Sequence, residues 1–409
     1  MHMSKKAGKN IRFMIIAGCI AAAAVIASFI IVTAVLHRKP VAAFYGLSET
    51  ETKAVTAQAK DDFTFITYDS TTPLSGQLRS GRKPDVVFLH NGLAGAEAAS
   101  SVKNKKAGFD SDVLEGMISS SRATVIRNDA GRVLTVPLLL DNYEIDINRS
   151  LLRQAGFSQL VTWADIDRFA QKIRGKTTAA VVFAGGDDRE LINITGALCE
   201  ALQGRGSWEK AVARIRETAA SGKKADYDAL AEELCGAEDA PFFGAERILS
   251  GWYKNNVLYP ETFHMKKEDV KAFMESGLCA VAFLTLSQHR TIEQQAIAGF
   301  DSQYYPSSPK ATARNFTSPQ VTAVMMTGNR KAASFVKELA DVSQEQLSRA
   351  SGLAPVQANS RVPDRQADDV RYWVAASGDP LPTLSDAAFT DDASRAAFAQ
   401  ALRGQMMYR

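Results

Sequence analysis

Several polar residues stand where short runs of β-forming residues end. Ser48 and Glu49 follow "VAAFYG", Asp69 follows "FTFITY", and His90 and Asn91 follow "DVVFL". Asp141 and Asn142 interrupt "VPLLLDNYEIDIN", Gly186 and Asp187 follow "AAVVFAG", and Gln288 and His289 close "LCAVAFLTLS". Carboxylates, amides and imidazoles at such positions suit hydrogen bonding to the hydroxyls of a small ligand, and the Gly185–Gly186 turn offers free backbone N–H groups at a helix start. Trp252, Tyr253, Tyr305 and Trp373 are the candidate rings for stacking on the apolar face of such a ligand; for Trp252 and Trp373 core packing is the competing role. Covalent or metal catalysis finds little support. The chain has no G-x-S-x-G, H-E-x-x-H or phosphate-cradling glycine motif, and its adjacent acid pairs diverge in either helix or strand. Cys199 and Cys279 lie in apolar runs and read as buried thiols; a Cys199–Cys235 disulfide is a possibility that spacing leaves open.

The elements that would position these residues follow a strand–helix grammar. "VAAFYG", a helix capped by Ser48 with Glu51 in its first turns, "FTFITYDS", the helix "PLSGQLRSG" and "DVVFLHNG" succeed one another, as in an open parallel sheet. Ligands bind such sheets beyond the carboxyl ends of the strands, which points at Gly46–Glu49, Tyr68–Ser70 and His90–Gly92. Thr162 and Asp165 form a T-x-x-D capping box, and Trp163, Ile166, Phe169 and Ile173 recur at helical spacing, so that face is core. Further strands are expected at "LCAVAFLTLS", "FDSQYYPSSP" and "VTAVMMT", and the tail from Ala367 is helical around a loop near Gly378–Thr383.

The ends of the chain differ in charge from its body. Of 48 basic residues, Lys5, Lys6, Lys9, Arg12, Arg38 and Lys39 precede Pro40, where no acid occurs; the rest balances 42 basic against 45 acidic residues. A near-neutral body offers no phosphate-binding surface, so nucleic acid is not an expected partner. Phe13–Leu36 carries no charge and exceeds the roughly 20 residues a helix needs to cross a bilayer. The expectation is a cytoplasmic tail over 1–12, an uncleaved transmembrane signal anchor over 13–36 and a body on the extracytoplasmic side, by the positive-inside tendency. A competing reading takes "IAGC" as a lipobox with Cys19 lipidated; another has the segment cleaved.

Four stretches, in this order, resemble the bacterial extracellular solute-binding proteins of family 1, the sugar-binding type of ABC importers. They are "PLLLDNYEIDINRSLLRQAGF…TWADIDRFAQKI", "FAGGDD", "DVKAFMESGLCAVAFLTLSQHR" and "SGLAPVQAN", within a match of about residues 41–409. The resemblance implies an α/β, two-lobed periplasmic-binding-protein-like (type II) fold, here with an N-terminal transmembrane helix. It places lobe 1 at 41–136 plus about 301–354 and lobe 2 at 137–300 plus 355–409. The backbone would cross between lobes at Val136–Asn148 and return near Pro355, with ligand in the cleft. It implies a protein that binds a small solute, expected to be a carbohydrate, without a cofactor, and hands it to ABC permease subunits. Two other classes stay open: a membrane-anchored sensor on the same fold, and a surface glycan hydrolase using Asp141 and Asp187.

Overall fold

In the computed structural model, residues 39–60, 63–80, 83–311 and 313–408 are described. The span expected over 13–36, its tail and Cys19 lie outside them. No helix among the described residues is long and apolar enough to cross a membrane.

Among the described residues, ten strands form two sheets. The first has the order β10-β4-β9-β3-β1-β2 and the second β6-β7-β5-β8. In the first, β1 (Val41–Tyr45) runs parallel to β2 (Thr64–Tyr68) and β3 (Val86–His90), each linked by a helix, as the alternation of elements requires. Then β9 (Val321–Met325), β4 (Thr135–Leu140) and β10 (Ala354–Pro355) add on antiparallel. In the second sheet, β6 (Ala179–Phe183) is parallel to β7 (Cys279–Thr285), while β5 (Tyr143–Asn148) is antiparallel to both β7 and β8 (Phe300–Tyr304).

Helices cover both faces of each sheet, so most central strands are buried on both sides and read as continuous apolar runs. The first lobe packs Phe44, Phe65, Phe88 and Phe335 as an aromatic stack. The second is centred on Phe283, whose ring meets Trp163, Phe183, Trp252 and Tyr305 at centroid distances of 5.4–6.5 Å. The Thr162–Asp165 capping box forms, and Ile166, Phe169 and Ile173 are fully buried. Cys199, Cys235 and Cys279 are buried, and no disulfide joins Cys199 to Cys235.

The lobe boundaries differ from expectation. β8 pairs with β5 along its whole length and belongs to the second sheet, not the first. Pro355 lies in β10 and pairs with Leu139 inside the first sheet, so the chain does not leave that lobe there. The helix Arg365–Ala376 also stays with the first core, through Ala367, Val370 and Val374. The chain therefore crosses three times: at Asp141–Asn142, between β8 and β9, and between Ala376 and Leu384, after which the helices Leu384–Ala388 and Asp392–Tyr408 complete the second core. Strand partners are set by long-range packing, which the alternation of "FDSQY" does not encode.

The Phe283 ring fills the meeting point of four other rings. Phe283→Ala should cost about 3–5 kcal/mol of unfolding free energy, read as a lowered urea midpoint; a loss within experimental scatter would show that the ring cluster is not the keystone of this lobe.

Candidate functional site

The carboxyl ends of β1, β2 and β3 face those of β6 and β7 across a cleft of about 400 Å³. Ser48, Glu51, Ser70 and His90 line it from the first lobe. Asp187, Arg189, Glu190 and Asn193 line it from the start of the helix Asp188–Gln203, with Lys267, Thr285, Ser287 and Gln288 beside them. Asp141 and Tyr143 lie on its floor at the first crossing, and Pro319, Thr383 and Asp386 come from the other two.

Local sequence explains much of this placement. Ser48 caps the helix Glu49–Thr56, and Glu51 folds back onto Ser48 N at 2.7 Å, completing a capping box. That turn buries the Glu51 carboxylate beside His90, whose Nε2 lies 2.9 Å away. Burial pushes the Glu51 carboxyl up, but the His90 charge and the Ser48 donors outweigh it and hold it at about 2, below its ordinary 4.5. Burial likewise pulls His90 down, and the Glu51 carboxylate overrides this and raises it. Asp187 caps its helix by accepting from Arg189 N and Glu190 N at 3.0 and 3.2 Å. Thr285 and Gln288 form another capping box, which turns Gln288 toward the cleft.

The charges along the cleft pair off. Arg189 meets Asp386 at 2.9 Å and Lys267 meets Glu190 at 2.8 Å. Tyr143 donates its hydroxyl to Glu190 at 3.3 Å, and Ser385 N donates to Asn193 Oδ1 at 2.9 Å. Among the described residues Asp141 has no cationic partner. It accepts from Asn142 N at 2.8 Å and Ser287 N at 3.2 Å, and burial raises its carboxyl to about 6. On the rim, Gly92 lies so close to the second lobe that a Cβ there would stand 2.6 Å from the Asp386 carbonyl oxygen. Gly186 is excluded from bearing a side chain by the His264 carbonyl, 2.3 Å from where a Cβ would be. The result is a set of fixed donors and acceptors that can meet several ligand hydroxyls at once.

Of the residues singled out in the sequence, Ser48, His90, Asp141, Asp187 and Gln288 come together here. Gly186 adjoins Asp187 but does not line the cleft. Glu49 is exposed and pairs with Lys53 at 2.6 Å, while Asp69 accepts from Thr71 within its own turn. Asn91 borders a separate groove of about 440 Å³ with Thr124 and Trp208. Asn142 is buried under the crossing. His289 faces away from the cleft and is bonded to Asp146 at 2.9 Å.

The aromatic candidates are corrected: none of the four lines the cleft. Trp252 is core, with its Nε1 donating to Asp167 at 2.7 Å. Tyr305 is buried against Trp163 and Phe283, Tyr253 packs on Phe263, and Trp373 packs edge-on against Tyr304. Apolar neighbours drew these rings inward, so the cleft lining is mostly polar, with Tyr143 on its floor. Glu51, Arg189, Glu190, Asn193, Lys267 and Asp386 were not singled out. The S-x-x-E spacing was a signal for Glu51, the T-x-x-D spacing of Thr383 and Asp386 one for Asp386, and polar Asn193 within the apolar run "LINITGALC", with Glu190 just before it, a signal for that helix face; Lys267 had none.

No protein-family model and no curated protein sequence matches the chain. Solved structures do. The bacterial solute receptor AcbH, described by a substrate preference for β-D-galactopyranose, superposes with a TM-score of 0.64 at 11% identity over 90% of this chain and 97% of its own. A chitin oligosaccharide binding protein gives 0.65 at 13%, over 90% and 94%. A family 1 extracellular solute-binding protein from Bifidobacterium longum subsp. infantis gives 0.54 at 15%, over 90% and 96%. At such identities the likeness is one of fold: this chain has the two-lobed fold of the periplasmic binding proteins.

The Glu51–His90 pair carries a pH signature. Glu51 is lowered, so its contribution to stability is present above pH 4.5 and is lost as pH falls toward about 2. His90 is raised, so its contribution is present below pH 6.5 and is lost as pH rises through its native value. Glu51→Gln should therefore cost most, about 3 kcal/mol, between pH 4.5 and 6.5, with a smaller gap from wild type on either side. Urea unfolding across that range checks this; a gap independent of pH would show that the two groups do not pair.

Proposed function

We propose that this chain is an extracytoplasmic solute-binding protein that captures a small carbohydrate between its lobes and delivers it to an ABC importer. The observation that carries the reading is the cleft itself: about 400 Å³ of space between two lobes, walled by carboxylate, amide, guanidinium and ammonium groups already fixed by their neighbours. Such groups hydrogen-bond sugar hydroxyls in pairs and need little reordering on binding. The named ligands of the similar folds, a galactopyranose and chitin oligosaccharides, belong to the same chemical class. Closure follows because a solute that touches both lobes favours the state in which both can reach it.

The apolar stretch Phe13–Leu36 serves as a membrane anchor in this reading, holding the body at the outer face of the membrane beside permease subunits. The full chain should then sediment with membranes and resist extraction by carbonate, while a chain starting at Pro40 stays in the supernatant. Equal partitioning of the two would remove the anchor.

Thermal-shift measurements with galactose, maltose, raffinose and chito-oligosaccharides test the cleft. A saccharide at 100 times its dissociation constant adds about 2.7 kcal/mol of stability. Lys267→Ala, which strips Glu190 of its partner, should weaken the best of them about tenfold or more. No stabilisation by any saccharide would overturn the carbohydrate assignment.

A further inference from the structure

Glu144 and Asp146 are acids in a strand otherwise fit for a core, and neither lines the cleft. Two residues apart on β5, they project from one face of the sheet, and both are fully buried. His289, in the turn of helix after β7, brings Nδ1 to 2.9 Å from Asp146 Oδ2 and 3.1 Å from Glu144 Oε1. Ser302, the register partner of Asp146 on β8, donates Oγ to Asp146 Oδ1 at 2.6 Å. From the first lobe, the helix Arg365–Ala376 inserts Gln366. Its Nε2 lies 2.7 Å from Glu144 Oε1, 2.7 Å from His289 Nδ1 and 2.9 Å from Ser302 Oγ.

With both acids ionised, hydrogen bonds alone do not satisfy this group. Glu144 Oε2 is buried and has no hydrogen-bond partner among the described residues. With both acids ionised, His289 Nδ1 must carry a proton to face them, and it then meets the Gln366 amide N–H group, donor against donor. Turning the amide over mends that contact but sets its oxygen against Glu144 Oε1. If Nδ1 is instead left unprotonated, its lone pair faces two carboxylates. Each arrangement of ionised acids leaves a repulsive contact in a place where water does not dilute it.

A cation at the centre removes the conflict, because the imidazole nitrogen, both carboxylates and the amide oxygen would all turn lone pairs inward. We propose that Glu144, Asp146, His289 and Gln366 form a divalent transition-metal site bridging the two lobes. One ligand atom from each of Glu144, Asp146 and His289 already lies within 4.8 Å of the others. Donors placed 2.0–2.2 Å from a tetrahedral ion stand about 3.4 Å apart, so the contacts of 2.7–3.1 Å around His289 and Gln366 have to open by roughly 0.3–0.7 Å. One imidazole with oxygen donors favours zinc or manganese over calcium.

A route exists. A groove of about 740 Å³ along the junction of the lobes reaches His289, Ser302 and Gln366 from outside. Its rim acids Asp301, Asp364 and Asp369 each face an arginine, so the attraction for a cation comes from the two buried carboxylates rather than from the mouth. Three ligands belong to the second lobe and Gln366 to the first, so an ion would fix the lobes in this relative position. Occupancy would then be linked to solute affinity, whichever solute the cleft takes.

The test uses the tag-free chain stripped with a chelator and titrated calorimetrically with zinc chloride, manganese chloride and calcium chloride. One equivalent of zinc or manganese should bind, and Glu144→Gln and His289→Gln should each weaken it about tenfold or more. Gln366→Ala, a change on the half-buried side of the cluster, should weaken it without threatening the fold, which guards against loss through misfolding. Bound cobalt(II) should give visible absorption bands in wild type that vanish in His289→Gln. Absence of stoichiometric binding by zinc and manganese overturns the site, as does binding that all three variants retain. So does a nitrogen-15 spectrum in which His289 stays doubly protonated under excess zinc, which would make the cluster a plain buried ion pair.

Discussion

A backbone that passes from one sheet to another must leave both hydrogen-bonding ladders, and its amides then need partners at a buried seam. This constraint governs the molecule. At the first crossing, the Asp141 side chain accepts from Asn142 N and Ser287 N, and the Asp141 carbonyl takes the Ser318 hydroxyl from the second. The second and third crossings lie side by side: Ser318 N donates to the Leu381 carbonyl at 2.8 Å, and Leu381 N donates to the Phe316 carbonyl at 2.9 Å. The three crossing segments are bound to one another in this way, although Asn142 Nδ2, Thr317 Oγ1 and Ser377 Oγ stay buried without a hydrogen-bond partner among the described residues. Asp141 could not be replaced by an apolar residue without orphaning two buried N–H groups.

The seam also fixes where the cleft opens. Strand ends from both sheets converge just beyond it, and the helix starts that follow bring their capping residues along. Caps and cleft-lining groups are therefore the same residues or their neighbours: Ser48 with Glu51, Asp187 with Glu190, Thr285 with Gln288. Burying so many charges would be costly if they stood alone, and the pairings Glu51–His90, Arg189–Asp386 and Lys267–Glu190 limit that cost. They also hold each group in place before a ligand arrives, so less ordering remains for binding to supply.

Much of this architecture is written locally. The alternation of β-forming runs with capped helices marked β1 to β3, and the Thr162–Asp165 box and the spacing of Ile166, Phe169 and Ile173 marked a helix by its buried face. Interruption of an apolar ribbon by Asp141 and Asn142 drew attention to the first crossing, which the family resemblance implied at Val136–Asn148. Capping chemistry involves neighbours within four residues, which is why it can be read without a structure. The partner of β8, the place of Pro355 and the fate of Trp252 and Tyr305 involve residues scores of positions away and carry no such local mark.

The sequence by itself determined the alternation of strands and helices and the capped helix starts that follow the strand ends, because periodicity, caps and turns act over a few residues. Tertiary structure alone decided that the chain crosses three times, that the aromatic rings go to the cores, and that Glu51, Lys267 and Asp386 meet the other polar groups in the cleft. It likewise decided that Glu144, Asp146 and His289 gather around Gln366 from the opposite lobe. The physical reason is the same in each case: which buried side chain finds which partner is settled by the packing of distant segments, where a charge or a ring goes wherever the whole assembly can best satisfy it.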